Sequence, residues 1–128
     1  METLMLRRRL MVVADKEIWP VSMIVQMIPN TIINISNGET QRNTSWAASD
    51  YIAIPKGTSN AGISSTEYGY GSFTRGAFYD LQKSCLSTFG PVNVSRPLTP
   101  PTGAEYIRYS VQTGSNSQGI TRIDFNDQ

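Results

Sequence analysis

Short runs of alternating apolar and polar residues follow one another along most of the chain after residue 30. The clearest run is 106–111 (YIRYSV). Its odd-numbered positions, Ile107, Tyr109 and Val111, share one face of an extended strand, and the even-numbered positions, including Arg108, share the other. A period of two residues is typical of strands with one buried face, so the pattern favours antiparallel sheets over a parallel sheet with intervening helices.

Turn-forming residues separate these runs at intervals of about 8–15 residues. The first run ends at Asn37-Gly38, a dipeptide that is common in tight hairpin turns. We expect strands at 31–36, 51–54, 77–80, 85–89, 92–98, 106–113 and 120–125. About seven to eight short strands with Gly and Pro turns predict an all-β protein, an antiparallel, jelly-roll-like β-sandwich.

Residues 1–30 differ in composition from the rest of the chain. They contain all five methionines and the only Arg triplet, and Pro20 and Pro29 exclude one continuous helix. Their apolar residues exceed what a small sandwich hides, so we interpret 1–30 as a docking and oligomerisation arm, helical or extended, and 31–128 as the β-sandwich domain. The arm residues that we assign to assembly contacts are Leu6, Arg7, Arg8, Arg9, Leu10, Met11, Trp19, Ile24, Met27 and Ile28.

The apolar stretches of the arm are short. The first, 10–14, is interrupted by Asp15, and a secretory signal needs about 7–15 apolar residues. The second, 21–28, contains two polar residues and falls far below the roughly 20 residues that span a bilayer. We therefore expect neither signal-directed export nor a membrane partner.

Charge and composition exclude several functions. The chain has 11 Lys and Arg against 10 Asp and Glu, a net charge of +1, which predicts no nucleic-acid partner. It has no His and a single cysteine, Cys85, which excludes Ser-His-Asp triads, His-ligated zinc and an intramolecular disulfide. We expect no enzymatic activity, catalytic residue, metal or cofactor. Because free cysteines are usually buried, we expect Cys85 to be buried.

Three segments in order carry a resemblance to a known group of proteins. They are 49–57 (SDYIAIPKG), 76–87 (GAFYDLQKSCLS) and 100–111 (PPTGAEYIRYSV). Together they resemble the small jelly-roll modules of bacteriophage tail-fibre, baseplate and head-fibre proteins and of related bacterial carbohydrate-binding modules. The resemblance covers about residues 45–113 and implies a β-sandwich that binds or assembles.

Side chains in these segments have roles that the strand pattern suggests. In 77–80 (AFYD) we expect Phe78 to point into the core and Tyr79 to face the other way, with its hydroxyl at a rim. The residues after it form a polar turn between two strands. We expect Arg108 to pair with a carboxylate such as Glu105 or Asp80.

The arm and the resemblance together favour a non-enzymatic virion structural protein of a bacteriophage, a head-fibre, tail-fibre or baseplate appendage. Such a protein is made in the cytoplasm of the bacterial host, forms a homo-oligomer with itself and contacts other virion proteins. The alternative is a carbohydrate-binding adhesin module that recognises host surface glycans. Exposed aromatic side chains serve either role, as glycan or partner contacts, and the residues in question are Trp46, Tyr68, Tyr70 and Phe73.

Overall fold

The fold is an antiparallel β-sandwich, which confirms the prediction from the alternating pattern. The computed structural model describes residues 18–64, 73–93, 96–112 and 120–128. These ranges contain no helix and nine strands: β1 (Val21–Gln26), β2 (Ile28–Ile33), β3 (Thr40–Ala48), β4 (Ile52–Ala53), β5 (Asn60–Ser64), β6 (Phe73–Tyr79), β7 (Cys85–Asn93), β8 (Tyr106–Gln112) and β9 (Ile120–Asn126).

The strands form two sheets in which every pairing is antiparallel. The smaller sheet has the order β1-β9-β5, and the larger has the order β2-β3-β8-β6-β7. The short strand β4 also belongs to the larger sheet, where it pairs with β8 beyond the end of β3. Ser49 bridges this interruption, because its N–H donates to the Tyr109 carbonyl at 2.8 Å and its Oγ accepts from the Tyr109 N–H at 3.1 Å.

The main core lies between the inner faces of the two sheets. The inward residues of β8 are the ones that the alternation predicts, and all three are fully buried: Ile107, Tyr109 and Val111. Phe78 of β6 also points inward, as expected. The Tyr109 hydroxyl and Thr121 Oγ1 lie 2.6 Å apart, so a buried hydrogen bond connects the larger sheet to β9 of the smaller sheet.

The tip of the β2–β3 hairpin, residues 33–39, covers the outer face of the larger sheet. The strand register shifts between Pro29 and Thr31, and Asn30 between them has a positive φ of 58°. Across the outer face, the Ile33 N–H donates to Ser110 Oγ at 3.0 Å, and Thr88 Oγ1 donates to the Ile35 carbonyl at 2.7 Å. A second buried cluster lies beneath the tip and consists of Ile33, Ala48, Ala77 and Tyr79.

Several elements differ from the sequence-based expectations. Strands β1, β3 and β5 were not expected, and the boundary drawn between residues 30 and 31 falls inside β2. The predicted strands 85–89 and 92–98 overlap one strand, β7, which begins at Cys85. The prediction that Cys85 is buried is wrong, because β7 is an edge strand and this end of it is exposed.

Candidate functional site

The most unusual group of side chains lies on the outer face of the larger sheet, beside the hairpin tip. It combines three tyrosines with two cations, and we call it the tyrosine–cation cluster: Tyr51, Tyr79, Lys83, Tyr106 and Arg108. Tyr106 and Arg108 lie on the outward face of β8, Tyr79 ends β6, and Tyr51 immediately precedes β4. The sheet pairing of these strands therefore brings together residues from distant parts of the chain.

Arg108 is the buried centre of the cluster, with 7% of its surface exposed. Its guanidinium carbon lies 4.1 Å from the centre of the Tyr51 ring and 4.9 Å from that of Tyr79. Its Nε donates to the Tyr79 hydroxyl at 3.0 Å and its Nη2 donates to the Gly38 carbonyl at 2.8 Å. The carboxylate pairing that the sequence suggested is therefore replaced by neutral acceptors.

Tyr79 is also buried and hydrogen-bonded. Its side chain faces away from Phe78, as expected, but it is buried, and its hydroxyl donates to the Gly38 carbonyl at 2.6 Å instead of lying free at a rim. Burial raises the pKa of this hydroxyl above its usual value, and the hydrogen bond and charge of Arg108 oppose the increase.

Lys83 lies above the rings, in the polar turn between β6 and β7. The turn is organised by Asp80, whose Oδ1 accepts from the N–H groups of Gln82 and Ser84, both at 2.9 Å. Lys83 itself has a positive φ of 67°. Its Nζ lies 5.0 Å from the centre of the Tyr51 ring and 5.5 Å from that of Tyr106.

The tyrosine rings meet edge to face. The Tyr51 ring lies 4.9 Å from Tyr79 at an interplanar angle of 75° and 6.0 Å from Tyr106 at 74°. Tyr51 and Tyr106 are half-buried, so part of each ring remains open to solvent. The arrangement places an exposed cation, Lys83, over two half-buried rings and puts the buried guanidinium of Arg108 against one of them.

Neither cation of the cluster forms an ion pair with a carboxylate in the described ranges. Within the described ranges the one ion pair joins Arg122 to Asp124 on β9, away from this face. Asp50 and Asp80 direct carboxylate oxygens to backbone N–H groups, those of Tyr51 and of the β6–β7 turn. These two carboxylates therefore bind the backbone beside the cluster and form no ion pair with Lys83 or Arg108.

A groove of about 510 Å³ opens where the segment after β4 faces the segment before β8. Its lining includes Pro55, Lys56, Pro101 and Glu105. One acid and one cation are its charged groups, which does not make a pair of carboxylates for acid–base hydrolysis.

In the part of the chain that the structure describes, no group of three or more His, Cys, Asp or Glu side chains comes close enough to hold a metal ion. Among the same residues no helix is long and apolar enough to cross a bilayer.

Of the four aromatic residues predicted as glycan or partner contacts, the structure describes the side chain of Trp46 alone. Trp46 is 7% exposed and lies beneath the guanidinium of Arg75 at 5.4 Å, so its ring is not an exposed surface. Phe73 begins β6, and its side chain lies outside the described part of the structure, as do Tyr68 and Tyr70.

The predicted arm residues also separate into groups. Leu6, Arg7, Arg8, Arg9, Leu10 and Met11 lie outside the described residues. Trp19 packs against the main core and Met27 is buried in it, whereas Ile24 and Ile28 are exposed.

Sequence reasoning did not assign Tyr51, Lys83 or Tyr106 to a site. The alternation in 106–111 placed Tyr106 and Arg108 on one face of the strand, and this was the sequence feature that pointed to the cluster. The approach of Tyr51 and Lys83 to that face depends on the pairing of β4 and β6 with β8, which local pattern does not report.

Comparisons with known proteins identified no relative of this chain. No family model matches the chain, and neither a curated protein nor a solved structure is significantly similar to it.

Proposed function

We propose that the protein is a non-enzymatic structural component of a bacteriophage virion, a head-fibre, tail-fibre or baseplate appendage that assembles with copies of itself. In this proposal the N-terminal part of the chain anchors the protein to neighbouring copies and to other virion proteins. The β-sandwich is displayed outward.

The observation that carries this proposal is a group of exposed apolar side chains along β1 and its flanks. No residue from Ile18 to Gly38 is charged. Ile18, Met23, Ile24 and Ile28 are exposed in this segment. Ile24 shares the outward face of the smaller sheet with Ile120, which is exposed opposite the end of β1, whereas Met23 lies on the other face of β1. Single exposed apolar residues are ordinary on soluble proteins, but adjacent ones mark contact surfaces.

Ile24 is the residue that tests the contact surface. It pairs with Arg122 of β9, on the face of the smaller sheet that points away from the core, and is 72% exposed. A glutamate at this position leaves the core unchanged but opposes burial against a partner, because a charge is costly to remove from water even where a cation such as Arg122 lies opposite it. Leu81 in the β6–β7 turn is a matched control, since it is 62% exposed and lies elsewhere on the molecule.

The test is the mass in solution of the full chain, measured by light scattering. We expect the wild type to have a multiple of the 14.2 kDa chain mass, Ile24→Glu to have a lower mass, and Leu81→Glu to match the wild type. A monomeric wild type contradicts the assembly proposal. Detection of the chain by mass spectrometry in density-purified phage particles supports the virion proposal, and its absence from them contradicts it.

A further inference from the structure

We propose that Tyr51, Lys83 and Tyr106, with Arg108 beneath them, form a binding site for carboxylate-bearing sugars of an acidic polysaccharide. This inference does not rest on the virion proposal, because the site lies on the sandwich and uses none of the apolar surface around β1. The two proposals therefore succeed or fail in separate experiments.

The backbone at Lys83 is the first argument. The hydrogen bonds of the turn, from the Lys83 N–H to the Asp80 carbonyl and from the Asp80 N–H to the Ser84 carbonyl, both 2.9 Å, place Lys83 at the left-handed position of a tight hairpin loop. Gly or Asn is usual there, since other side chains cost about 1 kcal/mol or more in this conformation. A lysine at this position places its ammonium group above two tyrosine rings. Contact between that cation and a ligand would explain why lysine stands at a position where the backbone favours glycine.

The second argument is that neither cation of the cluster has an ion-pair partner within the described ranges. Arg108 and Lys83 both lie within 4.1–5.0 Å of the same ring, that of Tyr51. The two acceptors that Arg108 contacts, the Tyr79 hydroxyl and the Gly38 carbonyl, carry no negative charge. A buried cation without a directly paired carboxylate is costly, and an anion bound beside Tyr51 would lower that cost. Arg108 contributes its charge, while Lys83 is placed for direct contact.

The solvent-accessible parts of the half-buried Tyr51 and Tyr106 rings argue for a sugar as the carrier of the anion. Flat aromatic faces accept the C–H face of a pyranose ring, and tyrosine hydroxyls can pair with sugar hydroxyls. An extended acidic peptide would be expected to add to a free strand edge. On the β4 side of the cluster, where the tyrosine rings lie, the Tyr51 N–H is held by the Asp50 side chain and the Ile54 N–H by the Glu105 carbonyl. The near-neutral chain also disfavours a nucleic acid.

Calorimetric titration of the full-length protein tests the site. The probes are oligogalacturonate, a hyaluronan oligosaccharide and sialyllactose, with methyl-esterified oligogalacturonate as the neutral match and an oligoglutamate peptide as the acidic non-sugar. We expect at least one acidic sugar to bind. We expect the methyl ester to bind about tenfold more weakly than the free acid if oligogalacturonate is the sugar that binds, since it loses a charge-assisted contact.

Lys83→Gly is the decisive variant, because glycine suits the positive φ at this position and we therefore expect the fold to be retained. We expect it to weaken binding about tenfold, with an unfolding midpoint equal to or above that of the wild type. Lys56→Gly removes the same charge from a different exposed turn and should bind like the wild type. The proposal is overturned if no acidic sugar binds, if both lysine variants lose affinity equally, or if the peptide binds as tightly as the sugars.

Discussion

Arg108 donates a hydrogen bond from Nη2 to the backbone carbonyl of Gly38, 70 positions earlier in the chain, at 2.8 Å. Tyr79 donates to the same carbonyl at 2.6 Å. One carbonyl thus receives two buried donors from two strands of the larger sheet. This arrangement attaches the tip of the β2–β3 hairpin to the outer face and buries Tyr79 and Arg108 there.

Gly38→Ala should destabilise the protein by about 1–3 kcal/mol, because Gly38 has a φ of 76° that other residues adopt only with strain. A Cβ there would also lie 2.7 Å from Cys85 Sγ and 3.3 Å from the Ala77 Cβ. Urea unfolding measures the loss. Gly62→Ala is the control, since a Cβ at Gly62 meets no atom within 4 Å, and equal effects of the two substitutions would argue against this account.

Arg108→Met should lower the free energy of unfolding by about 2–3 kcal/mol. The substitution removes two buried hydrogen bonds, and the Tyr79 hydroxyl and the Gly38 carbonyl each lose a donor. Arg122→Met is the matched control. Arg122 is 53% exposed and pairs with Asp124 on the surface, so its loss should cost under about 1 kcal/mol. If both variants unfold at the same urea concentration, Arg108 does not hold the hairpin tip.

Stability should be constant near neutral pH and fall as the pH rises above about 10, the usual pKa of tyrosine. Burial raises the pKa of Tyr79 in the folded state, so the folded protein holds this proton more tightly than the unfolded chain and loses stability when the proton is removed. Burial also raises the pKa of Cys85, whose contribution begins at lower pH.

Unfolding free energies measured between pH 8 and pH 11.5 distinguish the contribution of the Tyr79 hydroxyl from that of the Cys85 thiol. In a Cys85→Ser background, Tyr79→Phe should flatten part of the alkaline decline. An identical decline in both proteins would show that Tyr79 is not its source.

Cys85 should react with iodoacetamide in the folded protein, because it is an exposed residue on the edge strand β7. The rate at pH 8 should be lower than that of free cysteine, since the raised pKa reduces the thiolate fraction. Mass spectrometry of the native protein over time measures the rate, and the urea-unfolded chain is the reference. Absence of labelling without urea would contradict the exposed placement.

The fold class and several local features could be read from the sequence, because they depend on neighbouring residues. The alternation in 106–111 predicted which side chains of β8 face the core, since strand geometry alone alternates them. Asn37-Gly38 predicted a turn, and Gly38 has the positive φ that such a turn favours. Strand β3, by contrast, begins with polar residues and was missed, because hydrogen bonding to its neighbours rather than apolar alternation defines it.

The sequence by itself therefore determined the all-β class, the faces of its clearest strands and the position of its hairpin turn. Tertiary structure alone decided that Trp46 is buried, that Cys85 is exposed and that Arg108 binds the Gly38 carbonyl instead of a carboxylate. The physical reason is distance along the chain: side-chain direction follows from the local backbone, but a partner 70 residues away is selected by which strands pair and how the hairpin bends over them.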